Sequence, residues 1–428
     1  MNRFFFLGLL LVVQVFQANS STLTIEECVS KAEANYPAIR KYAPLQSTLD
    51  IALSDINKGW LPRIGVYGQL TGQNVVPSFP SALSNIMTQF GQEMKGLGKI
   101  QYKVGVDVNQ TIWDGGASKV QREIARSQNE VESSALDVEI YNVRQRVENL
   151  YFAVLLANEQ ISQSTTTLNL LNANLERLKA MLRNGTAMQS DVDMVEAQIL
   201  ELDQVITQAR VAVASYKRGL ELFIGETLNN IELVCPDDTL NLSNDNRRPE
   251  LKMFEKRIAA IRASQSLSDV SSMPKIGLFA QSYYGYPGLN YFNSMINREM
   301  SFNIIGGVKI SWNIDSFYTK KNSSRKTTAS IETINADRDL FLFNTNIQTT
   351  SIKENISGLR SLIDSDAKIV ALRSNVRKVA ESQLENGIID TTALLSKITD
   401  ENIAKLNGKY HQIKLVQEIY NLKYTLNQ

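Results

Sequence analysis

Two pairs of long segments in this sequence alternate between apolar and polar residues. In the first pair the alternation runs through Ile64 and Val66, and it returns at 102–112 after a polar loop. The second pair covers 276–284 and 302–314. A period of two predicts β-strands, because successive side chains of a strand point to opposite faces. Each predicted strand has about 11–13 residues, whereas strands of soluble proteins average about 5–6 residues.

Four such strands restrict what the chain can form. A membrane-spanning strand needs about 9–11 residues with one apolar face. An open sheet edge cannot lie in lipid, and the smallest membrane barrels have about 8 strands. Two chains would supply about 8 strands and three chains about 12, and the larger barrel would leave a lumen. If these strands enter a membrane, we therefore expect several copies of the chain to pool them.

The two strand pairs lie in a long sequence repeat. LPRIGVYGQ begins at Leu61 and MPKIGLFAQ begins at Met273, which is 212 residues later. Pro37 and Pro249 have the same separation. A fixed offset over two landmarks predicts a duplicated unit of domain size rather than a solenoid of short repeats. The predicted organisation is a signal peptide at 1–20, a first repeat at 21–228, a linker at 229–247 and a second repeat at 248–428.

Each repeat is predicted to contain a helix, a β-hairpin, a very long helix and a return helix. The first helix is expected over 24–60, with Thr24 as its cap. We expect hairpins at 62–113 and 274–315, long helices at 116–183 and 319–384, and return helices at 188–224 and 391–426.

The long helices carry a coiled-coil pattern. Leu136, Ile140, Val143 and Val147 begin a three-four spacing of apolar residues that continues to Leu182. At 1.5 Å per residue, such a helix is roughly 100 Å long. The Asn-Gly pairs at 184–185 and 386–387 predict that each long helix ends in a glycine turn.

The N-terminus and the composition exclude several classes of protein. Arg3, the apolar run from Phe4 to Phe16 and the small residues after it are typical of a secretory signal. No later stretch reaches about 18 consecutive apolar residues, so no transmembrane helix is expected in the mature chain. The net charge of +1 argues against a nucleic-acid partner. His411 is the single histidine, so an enzyme, a histidine metal site and a bound cofactor are not expected.

Several segments resemble the outer-membrane efflux protein family, the TolC-like exit ducts. They are LTIEECVSKAEANYPAIR near the mature N-terminus, VGVDVNQTIWDGG at 104–116 and RNGTAMQSDVDMVEAQ at 183–198. The resemblance implies a mostly α protein with membrane β: a long coiled-coil helical tunnel and four transmembrane β-strands per chain, which complete a 12-stranded barrel in a homotrimer. It also implies a location in the bacterial outer membrane, in contact with its lipid, and a periplasmic extension.

The same resemblance assigns candidate site residues. The candidates for the periplasmic tip, where an adaptor would dock, are Asn184, Gly185, Thr186, Asn386, Gly387 and Ile388. The candidates for a pore constriction are Asp191 and Asp390. The sequence departs from the family where some members carry acidic rings, because Ala393 and Ser396 stand there. An alternative is that both aspartates only complement helix N-termini, which needs no pore.

The function implied is passive. The chain would be the outer-membrane exit duct of a tripartite efflux or type I secretion system. Its partners would be a periplasmic adaptor (membrane fusion) protein and an inner-membrane RND or ABC transporter that supplies the energy. The alternative is a non-channel coiled-coil spacer or adhesin of the envelope, whose hairpins would hide their apolar faces. A disulfide between Cys28 and Cys235 is left open, as is the transported substrate.

Overall fold

A computed structural model describes residues 22–91, 93–229, 231–237 and 245–428. The predicted signal peptide at 1–20 and part of the predicted linker lie outside the described residues. The helices are α1 (Ile25–Asn35), α2 (Tyr42–Lys58), α3 (Ser81–Gln89), α4 (Ala117–Arg183), α5 (Gln189–Ile224), α6 (Pro249–Ser271), α7 (Tyr291–Asn297), α8 (Ser316–Glu385) and α9 (Thr391–Leu426). The strands are β1 (Thr22–Leu23), β2 (Arg63–Gly72), β3 (Ile100–Trp113), β4 (Glu232–Leu233), β5 (Lys275–Tyr286) and β6 (Ser301–Ser311).

The first helix is shorter than the sequence pattern predicts. Its start is as expected: the Thr24 hydroxyl accepts from the Glu27 amide at 3.3 Å, and the Glu27 carboxylate accepts from the Thr24 amide at 3.0 Å. The helix stops at Asn35, however, and Tyr36 is extended with φ −61° and ψ 129°. A residue before proline avoids the helical region, so Pro37 ends the helix. The prediction of one continuous helix over 24–60 is therefore wrong.

The two long helices dominate the chain. Helix α4 has 67 residues and α8 has 70 residues, which corresponds to roughly 100 Å each. Helix α4 is entered through a tight turn in which the Asp114 carboxylate accepts from the Gly116 amide at 2.9 Å and the Ser118 amide at 2.6 Å. None of the helices in the described ranges is both long and apolar enough to cross a lipid bilayer.

Strands β2, β3, β5 and β6 form one antiparallel sheet in the order β2-β3-β5-β6. The pairing of β3 with β5 joins the two halves of the sequence; Val106, for example, lies between Val66 of β2 and Ser282 of β5. Strand β6 ends at Ser311, so the alternation that continues to Ile314 in the sequence outlasts the strand. A separate short parallel pair joins β1 to β4.

The chain divides into two compact units, and each takes segments from both halves of the sequence. The first unit contains the described residues of 22–39, 136–249 and 341–428. The second contains the described residues of 40–135 and 250–340, and it holds the four-stranded sheet with α2, α3, α6 and α7. The element order α-β-α-β-α-α occurs twice along the chain, as α2-β2-α3-β3-α4-α5 and as α6-β5-α7-β6-α8-α9.

The largest core of the first unit lies where α1, α4, α5 and α9 meet. Tyr151 and Phe152 of α4 are fully buried there. The Tyr151 hydroxyl lies 2.8 Å from the Leu23 carbonyl and 2.7 Å from the Val234 carbonyl, and it can donate to one of them at a time. This hydroxyl therefore ties the residues next to the β1–β4 pair to the long helix.

The two cysteines are free thiols. Cys28 is buried in this core and Cys235 is exposed. Burial raises the pKa of the Cys28 thiol to about 12. A thiol in that state is unreactive, and Cys28 acts here as a small apolar residue.

Glu148 is a buried acid on α4, and its side chain is only 3% exposed. Burial raises the pKa of its carboxyl to about 7, although the Arg144 Nε lies only 2.9 Å from Oε1. The other oxygen, Oε2, has no hydrogen-bond partner. The folded protein therefore holds a proton on Glu148 up to near-neutral pH, whereas an unfolded chain would release it near pH 4.3.

Because the unfolded state then binds fewer protons than the folded state, stability falls as pH rises from about 4.3 to about 7. We expect Glu148 to lower the free energy of unfolding by about 3 kcal/mol between pH 4.3 and pH 8. The Glu148→Gln variant should lose most of this dependence in urea titrations at several pH values. Glu176→Gln, an exposed site on the same helix, should keep the wild-type slope; equal slopes for wild type and E148Q would contradict the assignment.

Candidate functional site

The two predicted glycine turns have the same backbone structure. At the first turn, the Gly185 amide donates to the Leu182 carbonyl at 3.0 Å and the Thr186 amide to the Met181 carbonyl at 2.9 Å. At the second turn, the Gly387 amide donates to Leu384 at 3.0 Å and the Ile388 amide to Gln383 at 2.9 Å. This pair of bonds is the Schellman motif, which satisfies the last carbonyls of a helix. Each turn thus ends a long helix and starts a return helix.

Both turns need glycine because of the backbone conformation, and not because a side chain would clash with its surroundings. Gly185 and Gly387 have φ values of +72° and +69°, in the left-handed region. A Cβ atom at either position would meet no atom within 4 Å. The six candidate tip residues Asn184, Gly185, Thr186, Asn386, Gly387 and Ile388 are exposed, so this surface is available for contact.

The two candidate constriction residues sit at different helix positions. Asp390 is the N-cap of α9, and its carboxylate accepts from the Ala393 amide at 2.8 Å. Asp191 lies in the first turn of α5, and its carboxylate accepts from the Met188 amide at 2.9 Å. Met188 is the N-cap position that corresponds to Asp390. Both carboxylates therefore bond to helix N-termini, as the alternative without a pore predicts, and their role in a constriction stays a prediction.

The helices that flank the two turns share their apolar contacts. Leu178 of α4 and Val192 of α5 are buried in one cluster, against which Leu384 of α8 and Leu395 of α9 pack. A second cluster with Leu171 and Leu394 lies beside it. The structure thus brings both candidate turns to helices of one bundle, although the turns are separated by about half of the sequence.

Ion pairs between α8 and α9 escaped the sequence analysis. Arg373 Nη1 lies 2.7 Å from Asp400 Oδ2, and Arg377 contacts the buried Glu401 of α9 as well as Glu381 on its own helix. A signal for them exists, because Arg373 and Asp400 stand at nearly equal chain distances on either side of Gly387. Once the turn is accepted as the centre of a helical hairpin, oppositely charged residues at such positions face each other.

The single histidine also takes part in a contact between α8 and α9. His411 Nδ1 on α9 lies 2.7 Å from Asp366 Oδ2 on α8, and both side chains are mostly buried. His411 thus takes part in an interhelical contact. Within the described ranges, no group of three or more His, Cys, Asp or Glu side chains is placed to hold a metal ion.

A groove runs between the two return helices next to the turns. It has a volume of about 430 Å³, and Met194 and Gln198 of α5 face Thr392 and Leu395 of α9 across it. The Thr392 hydroxyl lies 3.6 Å from the Met194 sulfur. The groove adds a concave surface to the exposed turn residues.

The four-stranded sheet is the second candidate site, because one of its faces is mainly apolar and the other carries all of the charged residues of the strands. One face is apolar and bare: Val66 is 78% exposed, Ile310 is 69% exposed and Val104 is 64% exposed. No charged residue of the four strands lies on this face. The opposite face carries mostly glycine, tyrosine and polar or charged residues, together with Phe279 and Ile305. The described part of the chain covers only one end of the apolar face, where Tyr286 packs in a buried cluster with Leu97 and Met295.

Solved structures share this fold. It is similar to the outer membrane protein VceC of Vibrio cholerae, with a TM-score of 0.67 and 12% identity over 94% of this chain and 95% of that one. CusC has a TM-score of 0.67 and 14% identity, over 94% of this chain and 91% of that chain. The open-state MtrE outer membrane channel of Neisseria gonorrhoeae has a TM-score of 0.63 and 12% identity, over 94% and 88%. The fold is therefore that of outer-membrane channels.

The sequence comparison points the same way. Residues 29–226 match the model of the outer membrane efflux protein family. No curated protein matches the chain. The resemblance to the outer membrane efflux proteins is confirmed over these residues.

The turn geometry makes a prediction about Gly387. Gly387→Ala forces a side chain into the left-handed region and should lower the free energy of unfolding by about 1–2 kcal/mol. Gly358→Ala is the matched control, because Gly358 lies inside α8 with no atom near its Cβ position. There alanine should raise helix stability by up to about 1 kcal/mol. Opposite signs are expected in thermal unfolding, and equal effects would contradict the proposed role of the turn.

Proposed function

We propose that this chain is the outer-membrane exit duct of a tripartite efflux or type I secretion system. Three copies form a homotrimer whose strands complete a 12-stranded barrel, and their long helices form a coiled-coil tunnel across the periplasm. The duct is passive and works with a periplasmic adaptor and an inner-membrane RND or ABC transporter. The two halves of the chain are copies of one duplicated unit, and the recurring element order supports this.

The bare apolar face of the sheet is the observation that carries this proposal. Large aliphatic side chains such as Val66, Leu70 and Ile310 are about 70% exposed or more along strands of 10 to 14 residues. Monomeric soluble proteins rarely leave so continuous an apolar surface in water. Lipid is the environment that such a face fits, and strands of this length suit a bilayer.

The edges of the sheet support a shared barrel. Among the strands that the structure describes, β2 and β6 each have a partner on one side only. In lipid the free backbone groups of these edges must be paired, and a closed ring is the arrangement that pairs all of them. Pairing β6 of one copy with β2 of the next supplies these bonds.

The glycine turns and the groove beside them support docking of the adaptor at the far end of the helices. They combine exposed apolar side chains, such as Ile388 at 69% exposure, with a concave surface next to them. Opening of a closed tip then follows if the adaptor binds the open state more tightly than the closed state. Asp191 and Asp390 stay as the candidates for the constriction.

A non-channel spacer or adhesin is the alternative from the sequence, and the sheet disfavours it. That alternative requires hairpins whose apolar faces pack on the helices of the same chain. The exposure of Val66 and Ile310 is the opposite of this expectation. The fold is shared with outer-membrane channels, and it gives no support to the enzyme alternative.

Lysine substitutions on the two faces of β2 test the proposal. In lipid, Val66→Lys should cost about 2–4 kcal/mol and reduce heat-modifiable trimers in the outer-membrane fraction. In a water-exposed sheet the same change costs within about 0.5 kcal/mol. Gln69→Lys, an exposed site on the polar face of the same strand, is the control and should leave trimers intact. Normal trimer levels for V66K, or a soluble wild-type monomer, would argue for the spacer.

A photo-reactive amino acid at Ile388 tests docking at the turns. After irradiation of cells, we expect a covalent product with a periplasmic adaptor protein, identified by mass spectrometry. The control is the same probe at Leu222, which is 77% exposed on α5 but far along the chain from either turn. Equal capture of the adaptor from both positions, or capture from Leu222 alone, would place docking elsewhere.

A further inference from the structure

The polar face of the sheet carries an excess of positive charge. Counting the residues that the strand register places on this face, the cations are Arg63, Lys103, Lys275 and Lys309, and the one carboxylate is Asp107. The charge is therefore +3 for each chain on the face that turns away from lipid in the proposed barrel.

Three of the four cations lie at one end of the sheet. Arg63 is the first residue of β2, Lys275 is the first residue of β5, and Lys309 lies two residues before the end of β6. All three are exposed. Two carboxylates follow the strands at this end: Asp114 bonds to the amides of Gly116 and Ser118, and Asp315 is exposed beyond β6.

The fourth cation is held in place by aromatic rings. Lys103 Nζ lies 5.7 Å from the ring centre of Tyr67 and 5.3 Å from that of Tyr283, within the range of cation–π attraction. Gly105 makes this arrangement fit, because a Cβ atom there would lie 2.9 Å from the Tyr67 hydroxyl and 2.8 Å from Tyr283 Cβ. The nearby Asp107 accepts a hydrogen bond from Asn109 Nδ2 at 3.2 Å.

We propose that this face gives the duct a preference for anionic solutes. The inference rests on the proposed function, because it requires that copies of the sheet enclose a lumen with their polar faces inward. Each copy would then add its cations to the same wall, and rings of lysine and arginine favour anions in pores. A narrow water-filled space with low-dielectric walls strengthens such a field, whereas salt screens it over about 8 Å at physiological ionic strength.

Reversal potentials in planar bilayers test the preference. With purified full-length protein in a KCl gradient, we expect chloride to permeate at least about twice as well as potassium at neutral pH. The Lys275→Gln/Lys309→Gln double variant should move the permeability ratio at least about twofold toward potassium. Lys275→Arg/Lys309→Arg keeps the charge and should keep the chloride preference. A wild-type preference for potassium, or a ratio that the glutamine variant leaves unchanged, overturns the inference.

A thiol-reactivity measurement decides the question if the channel stays closed. Ser311→Cys, in a Cys235→Ser background, places a thiol opposite Lys275 in the sheet register. In purified trimers, an anionic methanethiosulfonate reagent should react with it at least about threefold faster than a cationic one, relative to a free thiol. Adding Lys275→Gln should lower this ratio and Lys275→Arg should not. Absence of trimers contradicts the proposed function, whereas trimers with a ratio near one contradict only the charge preference.

Discussion

The antiparallel pairing of β3 with β5 is the interaction on which the second unit depends. It joins strands from the two halves of the sequence, and Val106 on β3 has neighbours on both sides because of it. Without this ladder each hairpin would be a two-stranded ribbon, which is marginal by itself in water. With it, four strands present one continuous apolar face and one polar face. The apolar surface and the charged surface of the sheet are therefore two results of one register.

The first unit is organised by burial. Tyr151 and Phe152 fill the meeting point of α1, α4, α5 and α9, and leucines further along α4 and α8 hold the helices near the glycine turns. The buried Glu401 is paired with Arg377 and Lys405, so it is not left as an isolated charge. Exposed turn residues at the end of such a bundle are supported by a rigid base, which suits a docking surface.

Local features of the sequence predicted much of this structure. The alternation around Val66 and the Asn-Gly pairs are short-range signals, because a strand face and a Schellman turn are determined by a few neighbouring residues. The break in the first helix at Pro37 is also a local feature. The sequence pattern does not predict it, because apolar residues keep a helical spacing on both sides of the proline. The β3–β5 pairing and the Arg377–Glu401 contact join residues through tertiary packing, and neither was derived from the pattern. The different roles of Asp191 and Asp390 follow from their unequal distances to Gly185 and Gly387.

Strand direction has a consequence for assembly. Because every neighbour in the order β2-β3-β5-β6 is antiparallel, the first and last strands of the sheet run in opposite directions. A ring built from such sheets never brings two like-directed strands together at a subunit boundary, whatever the number of copies. Strand direction therefore does not set the number of copies in such a ring. That number depends on the curvature of the sheet and on the diameter at which the helices pack. A change in helix packing can alter the copy number while every strand keeps its pairing.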